Sequence, residues 1–234
     1  MKLTAEGIAV IEGDTYLSAD IITKGRLDVA HEELEKYRKF IPEGGVVVDV
    51  GACLGDYTLT FSQMAGERGR VHAFEPNPMV FECLQHNLYT YMDRANVELY
   101  NCGLGERYEP VSIILDRHNI GASRLERGSS GEAGGDSTSG ILVRALDNIA
   151  AGWPRLDFLK IDAEGWEPLI LDGGRETIRQ FLPAMLIEVN TWPLGKMGFT
   201  PEDIWKRLDE LGYHYEKFDG PYGDVLCLPK GAAA

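Results

Sequence analysis

The sequence predicts an α/β protein in which seven strands form a doubly wound, mostly parallel sheet packed against helices. Short apolar segments alternate along the chain with segments of helical periodicity, which is the pattern of such a sheet. The first of these segments, VVVDV at 46–50, is typical of a strand that is buried on both faces. The last two predicted strands flank a Gly-Pro-Tyr-Gly turn, so we expect an antiparallel hairpin at the end of the chain.

The first 40 residues precede the alternating pattern and are predicted to form a small β/α appendage at 1–40. Residues 7–27 carry β-branched side chains in rough alternation around Gly13-Asp14, which favours short strands. Residues 28–40 have apolar side chains at helical spacing and predict a helix.

The main domain is predicted to span 41–230, and the Gly-Ala-Ala-Ala at 231–234 has the composition of an appended linker. The predicted strands of the main domain are 46–50, 70–76, 97–103, 157–162, 184–190 and the closing segments YHYEKFD and DVLCLP. Its predicted helices are 56–64, 78–91, 167–180 and 201–211. The segment 128–140 has no aliphatic side chain larger than alanine, which predicts an unpacked surface loop or, alternatively, a lid over a bound ligand.

The composition disfavours several classes of partner. The chain has 234 residues, with 37 acidic and 23 basic side chains and a net charge of −14. Such a charge repels nucleic acids and anionic membranes and favours a small cationic ligand. No apolar run approaches the roughly 18 residues of a membrane span, and we find no signal peptide. The four cysteines form no CxxC pair, so we expect free thiols and a cytoplasmic protein. The sequence is compatible with a monomer and with a homo-oligomer.

A glycine-rich turn follows the first strand of the main domain. Asp49, Gly51 and Gly55 form a DxGxxxG pattern, in which the glycines let the backbone turn sharply and approach a ligand closely. The leading carboxylate would repel a pyrophosphate, whereas it would attract a cation such as S-adenosylmethionine. Glu75 ends the second strand, where a carboxylate accepts hydrogen bonds from a ribose diol. The structural alternatives are a capping carboxylate for Asp49 and a solvated strand end for Glu75.

Several segments resemble the FkbM-type methyltransferases, namely VVVDVGACLGDYTLTFS, HAFEPNP, NCGLGE, the LDN at 146–148 and FLKIDAEGWEPLILDGG. The resemblance covers about residues 20–190. It implies a class I, Rossmann-like fold, S-adenosylmethionine as the methyl donor, and a hydroxyl acceptor on a sugar or secondary metabolite. Two residues depart from the pattern that we expect, Cys53 in the glycine turn and Trp166 after the Glu-Gly pair.

Ligands of doubly wound sheets bind outside the carboxyl ends of the strands. The residues predicted to bind the cofactor there are Asp49, Gly51, Ala52, Gly55, Tyr57, Glu75, Pro76, Asn101, Gly103 and Asp162. For Asn101, an amide contact with the base or ribose and a plain turn are equally good interpretations.

Methyl transfer to a hydroxyl requires removal of a proton from a group whose own pKa is far too high. Asp162 and Glu164 follow the fourth strand, and Glu188 and Asn190 end the fifth. Asp162, Glu164 and Glu188 are therefore the predicted catalytic residues. Either one carboxylate, first of all Asp162, is the general base, or Asp162, Glu188 and Asn190 hold Mg²⁺, which acidifies the hydroxyl. Capping of the following helix is the structural alternative for Asp162 and Glu164.

Other residues and other functions have to be weighed beside this hypothesis. His118 is a second candidate base or a solvated surface histidine. Trp166 and Trp192 either offer flat faces to an acceptor or simply pack. We expect the appendage to cover part of the active-site mouth.

N-methylation of a small molecule or peptide is the alternative within the same class of enzyme. A NAD-dependent oxidoreductase is the alternative from another class, because Glu75 would also suit the ribose of NAD, although the DxGxxxG turn argues against it. A non-catalytic subunit should lack the converging carboxylates.

Overall fold

The structure is a computed structural model that describes residues 1–128, 137–217 and 220–231. Most of the predicted loop at 128–140 and the last three residues of the predicted linker at 231–234 lie outside the described residues. None of the helices in the described ranges combines the length and the apolarity that a membrane span requires.

The N-terminal appendage contains short strands and helices. Strand β1 (Lys2–Leu3) pairs antiparallel with β2 (Ala9–Val10), and helix α1 (Leu17–Lys24) follows. Helix α2 (His31–Leu34) continues into a 3₁₀ helix at Glu35–Phe40, which confirms the predicted helical segment from His31 onward. The predicted strands were wrong for residues 17–24.

Helix α1 forms in spite of its β-branched side chains because tertiary packing outweighs local propensity. Ser18 and Ile21 lie on one face and are fully buried, whereas Ile22 is 54% exposed. The carboxylate of Asp14 accepts a hydrogen bond from the Ser18 N–H at the start of the helix. Gly25, in the left-handed conformation, ends it.

The main domain alternates strands and helices much as predicted. Its strands are β3 (Val46–Val50), β4 (Arg70–Phe74), β5 (Val97–Tyr100), β6 (Gly103–Leu104), β7 (Glu109–Ile114), β8 (Arg124–Glu126), β9 (Ser137–Arg144), β10 (Phe158–Ile161), β11 (Ala184–Asn190), β12 (Tyr213–Tyr215) and β13 (Tyr222–Pro229). Its helices are α3 (Asp56–Ala65), α4 (Pro78–Gln85), α5 (Leu146–Ile149), α6 (Glu167–Gly173), α7 (Arg175–Phe181), α8 (Thr191–Lys196) and α9 (Pro201–Leu211). A π-helical turn at His86–Tyr91 extends α4, and a 3₁₀ turn at Ile120–Ala122 precedes β8.

In the described part of the chain, the main sheet has seven strands in the order β12-β13-β11-β10-β3-β4-β5. The central strands pair in parallel, and β13 is antiparallel to both β11 and β12. The predicted fold class and the closing hairpin are thus confirmed. The strand order reverses between β3 and β10, which is where ligands of doubly wound sheets bind.

A second sheet lies beside the main one and was not predicted. Its order in the described residues is β6-β9-β7-β8. Strand β6 pairs in parallel with β9, whereas β7 is antiparallel to β8 and β9. The chain thus leaves the main sheet after β5 and builds a small sheet before it returns at β10. This small sheet supplies one wall of the candidate site.

Side chains of each central strand alternate between two buried layers, as expected for a sheet that is covered on both faces. Val48 and Leu159 belong to one layer, and Val47 and Phe158 belong to the other. The appendage contributes Ile21 and its apolar neighbours to the second layer. The appendage therefore shares the core of the main domain.

Candidate active site

The glycine turn passes very close to the strand beside it. Gly51 has φ +78°, and a Cβ at this position would overlap with the backbone oxygen of Asp162. Gly55 has φ +98°, and a Cβ there would overlap with the side chain of Leu88. Only glycine combines this conformation with this proximity. Cys53, between them, also has a positive φ, of +48°, which is unusual for a residue with a side chain.

A cleft opens at the carboxyl ends of β3, β4 and β10, between the glycine turn and the small sheet. The predicted cofactor residues that line it are Gly51, Glu75, Pro76, Gly103 and Asp162. The chain around the small sheet forms one wall of the cleft, with the lining residues Ile113, Ile120, Gly121, Ser123 and Leu125. Cys53 also lines the cleft, and burial together with the charge of Glu75 raises the pKa of its thiol, which keeps it neutral.

Glu75 connects the glycine turn to the loop after β4. One carboxylate oxygen accepts a hydrogen bond from the Cys53 N–H at 3.1 Å, and the other accepts one from the Asn77 N–H at 2.7 Å. Burial raises the pKa of Glu75 to about 7, against the opposing effect of these two N–H groups. A carboxylate has about four lone pairs, so Glu75 can still accept hydrogen bonds from a ligand in the cleft.

Beneath the cleft, Lys160 joins β3 to β10. Its Nζ donates a hydrogen bond to the Gly51 carbonyl at 3.0 Å and lies 3.6 Å from Asp49 Oδ1 and 3.3 Å from Asp162 Oδ2. Burial by itself would lower the pKa of Lys160, but the charges of Asp162 and Asp49 outweigh burial and raise it. Asp49 also accepts a hydrogen bond from the Thr58 hydroxyl at 2.6 Å. Lys160 therefore neutralises part of the acidic site from below.

Five of the predicted cofactor residues are not among the residues that line the cleft, namely Asp49, Ala52, Gly55, Tyr57 and Asn101. Asp49 is fully buried, and its neighbours are Lys160 and Thr58 rather than the cleft. The Asn101 amide donates to the Glu75 carbonyl at 2.9 Å, which fixes the loop after β4. These residues shape the walls of the cleft, and their direct contact with the cofactor stays a prediction.

Three carboxylates converge beside the cleft, where β10 and β11 end. Oxygens of Asp162, Glu164 and Glu188 all lie within 4.8 Å of one another. Asn190, the third ligand of the predicted magnesium site, caps α8 by accepting a hydrogen bond from the Trp192 N–H at 3.2 Å. The structure thus brings the three predicted catalytic carboxylates together, and the role of Asn190 as a metal ligand stays a prediction. We name these three carboxylates the acid cluster.

Two members of the acid cluster, Glu164 and Glu188, hold protons more tightly than ordinary carboxylates. Burial and then the charge of Asp162 raise the pKa of Glu164 to about 8. The same two causes, with Glu164 added, raise the pKa of Glu188 to about 9, and Glu188 Oε2 is buried with no hydrogen-bond partner among the described residues. Asp162, the third member, has its Oδ2 3.3 Å from the Nζ of Lys160. The cluster can therefore take up a proton near neutral pH.

The methyltransferase FkbM domain matches residues 49–215. The chain belongs to the FkbM methyltransferase family. This membership implies S-adenosylmethionine as the cofactor and argues against the nicotinamide-dependent alternative.

The chain is also similar to individual proteins. The methyltransferase sdnD of Sordaria araneosa is 23% identical over 91% of this chain and 86% of its own length. The crystal structure of the methyltransferase FkbM from Methylobacillus flagellatus KT is 18% identical and has a TM-score of 0.53. This likeness of fold covers 90% of this chain and 60% of that one, so the chain spans less than two thirds of that protein. A SAM dependent methyltransferase from Aquifex aeolicus matches 85% of this chain and 89% of its own, with 16% identity and a TM-score of 0.46.

The cleft of this FkbM domain fits the cofactor that the family implies. At Gly103, which lines the cleft, a Cβ would come within 2.7 Å of the end of the Leu125 side chain, which would have to shift. Three acidic side chains, Glu75, Asp162 and Glu164, line a cleft that would receive a sulfonium cation. Acidic groups around a cation lower its energy, most strongly where water is excluded.

Glu167 holds the loop of the acid cluster, and the sequence patterns did not single it out. It is 2% exposed, and its Oε1 accepts hydrogen bonds from the N–H groups of Ala163 at 3.0 Å and Gly165 at 3.1 Å. These bonds hold the loop that carries Asp162 and Glu164, the latter at φ +50°. The available signal was an acid at the first position of a predicted helix, directly after a loop of functional residues.

The aromatic and histidine candidates have different surroundings. Trp166 is fully buried and donates from its indole N–H to the Leu125 carbonyl at 3.0 Å, so it joins the small sheet to the start of α6. Trp192 is 58% exposed, with the guanidinium of Arg124 5.3 Å from its ring centroid. His118 is exposed and is not among the residues that line the cleft.

Proposed function

We propose that this protein transfers a methyl group from S-adenosylmethionine to a hydroxyl of a sugar or of a small molecule resembling a secondary metabolite. The observation that carries this proposal is the acid cluster, because two of its three members line the donor cleft and two have raised pKa values. A hydroxyl acceptor must lose its proton as the methyl group arrives, and a carboxyl with a pKa near the working pH is an effective general base.

Each part of the site has a role in this proposal. Bound S-adenosylmethionine supplies a methyl carbon that is already activated by the sulfonium. Glu75 accepts hydrogen bonds from the ribose hydroxyls while the backbone N–H groups of Cys53 and Asn77 hold its carboxylate in place. Glu164 takes the proton from the acceptor, because it lines the cleft and has a pKa of about 8. This assignment differs from the sequence-based preference for Asp162, which lies close to Lys160.

A magnesium ion remains the alternative way to acidify the hydroxyl. Carboxylate oxygens are the ligands that Mg²⁺ prefers, and the acid cluster offers one oxygen from each of its three members. Activity that disappears with EDTA and returns with Mg²⁺ would favour the metal over a direct general base.

The experiment is an acceptor screen with two variants. Release of S-adenosylhomocysteine is measured with monosaccharides, oligosaccharides and hydroxylated metabolites, and with amine analogues of matched size. We expect turnover with a hydroxyl acceptor, and we expect Glu164→Gln to lower kcat/KM by about 10²–10⁴-fold, which is the usual contribution of a general base. Glu202→Gln, at an exposed position of α9, is the control and should leave the rate unchanged.

Turnover with amines alone would replace O-methylation by N-methylation. An amine acceptor needs less help from a base, so Glu164→Gln would then have a much smaller effect.

The partners and the compartment belong to the same proposal. The net charge of −14 supports a small or glycan-linked acceptor over a nucleic acid. The four free thiols support a reducing, cytoplasmic environment.

A further inference from the structure

The N-terminal arm, residues 7–18, contacts the back of both walls of the donor cleft. On the side of the glycine turn, the contact runs through the fully buried Asn87. Its Oδ1 accepts a hydrogen bond from the Ala9 N–H at 2.7 Å, and its Nδ2 donates to the Ala9 carbonyl at 3.0 Å. The same Nδ2 donates to the Leu54 carbonyl at 2.9 Å, so one side chain joins the arm to the glycine turn.

On the opposite wall, the contact runs through Asp14, whose side chain is 6% exposed. One carboxylate oxygen accepts from the Ser18 N–H at 2.8 Å, and the other accepts from the Ile120 N–H at 3.3 Å. Next to it, the backbone N–H and the hydroxyl of Thr15 both donate to the His118 carbonyl, at 2.8 and 2.9 Å. Three hydrogen bonds thus attach the segment 118–120 to the arm.

The attached segment leads directly into the cleft. Ile120, Gly121 and Ser123 are lining residues, and the segment is a single 3₁₀ turn rather than part of a regular sheet. The turn has hydrogen bonds of its own, because Asp116 Oδ1 accepts from the N–H groups of His118 and Asn119, both at 2.9 Å. The groups that fix it against the arm are Asp14 and Thr15. Asp14 is the buried charged group among them, and hydrogen bonds to charged groups are the strongest of their kind.

We propose that Asp14 is a positioning residue for the methyl donor, and that the N-terminal arm controls donor affinity by holding Ile120 and its neighbours in place. The proposal rests on the donor cleft of the proposed function. A wall that is already ordered does not lose conformational entropy when the ligand binds, whereas a loose wall does. From the sequence, we expect the appendage to cover part of the active-site mouth. The contacts of the arm support an effect on the donor through the back of the cleft walls.

The coupling must act in both directions. If the arm stabilises the cleft in its binding conformation, a bound ligand must stabilise the arm by the same free energy. Hydrogen exchange measures this second direction in the unmodified protein, because the amides of Ser18 and Ile120 are the donors to Asp14. Amides of α9, a helix that contributes no residue to the described lining, report the general stabilisation that any ligand causes.

The experiment compares Asp14→Ala with Asp20→Ala. Asp20 lies on α1, is exposed, and pairs with Lys24 at the surface, so its replacement tests a general effect on the arm. Binding of S-adenosylhomocysteine is measured by calorimetry, and folding is checked by circular dichroism. We expect Asp14→Ala to weaken binding by about tenfold, within the usual range of coupling energies, and Asp20→Ala to change it by less than about twofold.

The opposite results are equally clear. A folded Asp14→Ala variant that binds S-adenosylhomocysteine as tightly as the unmodified protein would overturn the proposal. If that variant does not fold, hydrogen exchange decides, because we expect the ligand to slow exchange at Ser18 and Ile120 by more than it slows exchange in α9. Equal slowing would overturn the proposal as well. Failure of the unmodified protein to bind the ligand at all would count against the donor cleft itself, which is a different result.

Discussion

Two glutamates on either side of β3 have raised pKa values for different reasons. Glu75, after β4, is buried, and each of its oxygens accepts a hydrogen bond from a backbone N–H. Glu188, in β11, is only partly buried, but one of its oxygens has no hydrogen-bond partner in the described part of the chain, and its neighbours are carboxylates. The pKa of Glu75 rises to about 7 and that of Glu188 to about 9.

In the proposed reaction, the different surroundings of these two glutamates suit two different tasks, donor binding and proton transfer. The donor side needs a fixed geometry, and backbone N–H groups supply it without adding a mobile charge. The acceptor side needs a group that takes up and releases a proton, and repulsion among carboxylates supplies this property at a cost in stability. We therefore expect changes on the donor side to affect binding, and changes on the acceptor side to affect rate and pH dependence.

The largest effect on ligand binding should come from the donor side. Replacing Glu75 by alanine removes the proposed acceptor for two ribose hydroxyls. Each hydrogen bond to a charged group contributes about 1.5–3 kcal/mol to the binding free energy. We expect S-adenosylhomocysteine to bind about 100-fold more weakly in calorimetry, with the fold retained in circular dichroism. Unchanged affinity in a folded Glu75→Ala variant would contradict the role assigned to this carboxylate.

The next effect concerns the pH dependence of the reaction. Glu164 is mostly protonated at pH 6 and becomes ionised as the pH passes its raised pKa of about 8. The rate at saturating acceptor should therefore rise by about tenfold for each pH unit below that value and level off above it. The Glu164→Gln variant should lose this rise. A flat profile in the unmodified protein would exclude a carboxyl of the acid cluster as the base.

A smaller effect should appear in stability. The pKa of Glu188 is about 9 in the folded protein, compared with an ordinary value of 4.5, so the folded state keeps a proton that the unfolded state releases. This proton stabilises the fold fully below the unfolded value, and its contribution is lost as the pH rises towards 9. Glu188→Gln cannot ionise. We expect it to raise the Tm at pH 8 by a few degrees and to leave the Tm at pH 5 nearly unchanged.

The prediction for Glu188 is tested by comparing the change in Tm at pH 5 with the change in Tm at pH 8. A Tm that rises equally at pH 5 and pH 8 would point to better packing of the amide rather than to the removal of a charge. Loss of activity together with the gain in stability would show that the acid cluster is maintained for function.

The smallest effect should come from Trp166, which joins the small sheet to the main domain. Trp166→Phe removes the bond from the indole N–H to the Leu125 carbonyl and leaves an aromatic ring in the core. A hydrogen bond of this kind contributes about 1 kcal/mol, which corresponds to a decrease of about 2–4 °C in Tm. Thermal unfolding measures this change. A larger loss would mean that the indole itself fills space that phenylalanine leaves empty.

Much of the fold could be predicted from short sequence patterns. The strand β3 was predicted with the correct bounds because four valines in five residues suit only a strand covered on both faces. Helix α9 was also predicted correctly, with Pro201 in its first turn. Helix α1 was not, because the packing of Ile21 against the main domain decides its conformation and the local propensity does not.

The sequence by itself determined the α/β class, the glycine turn and the presence of carboxylates at the ends of β10 and β11. These features depend on patterns within a few residues, where side-chain periodicity and glycine conformation have direct physical consequences. Only the tertiary structure decided that oxygens of Asp162, Glu164 and Glu188 come within 4.8 Å of one another, that the small sheet forms one wall of the cleft, and that the N-terminal arm contacts this wall from behind. These outcomes depend on contacts between residues far apart in the chain, such as Asp14 and Ile120, which no local pattern encodes.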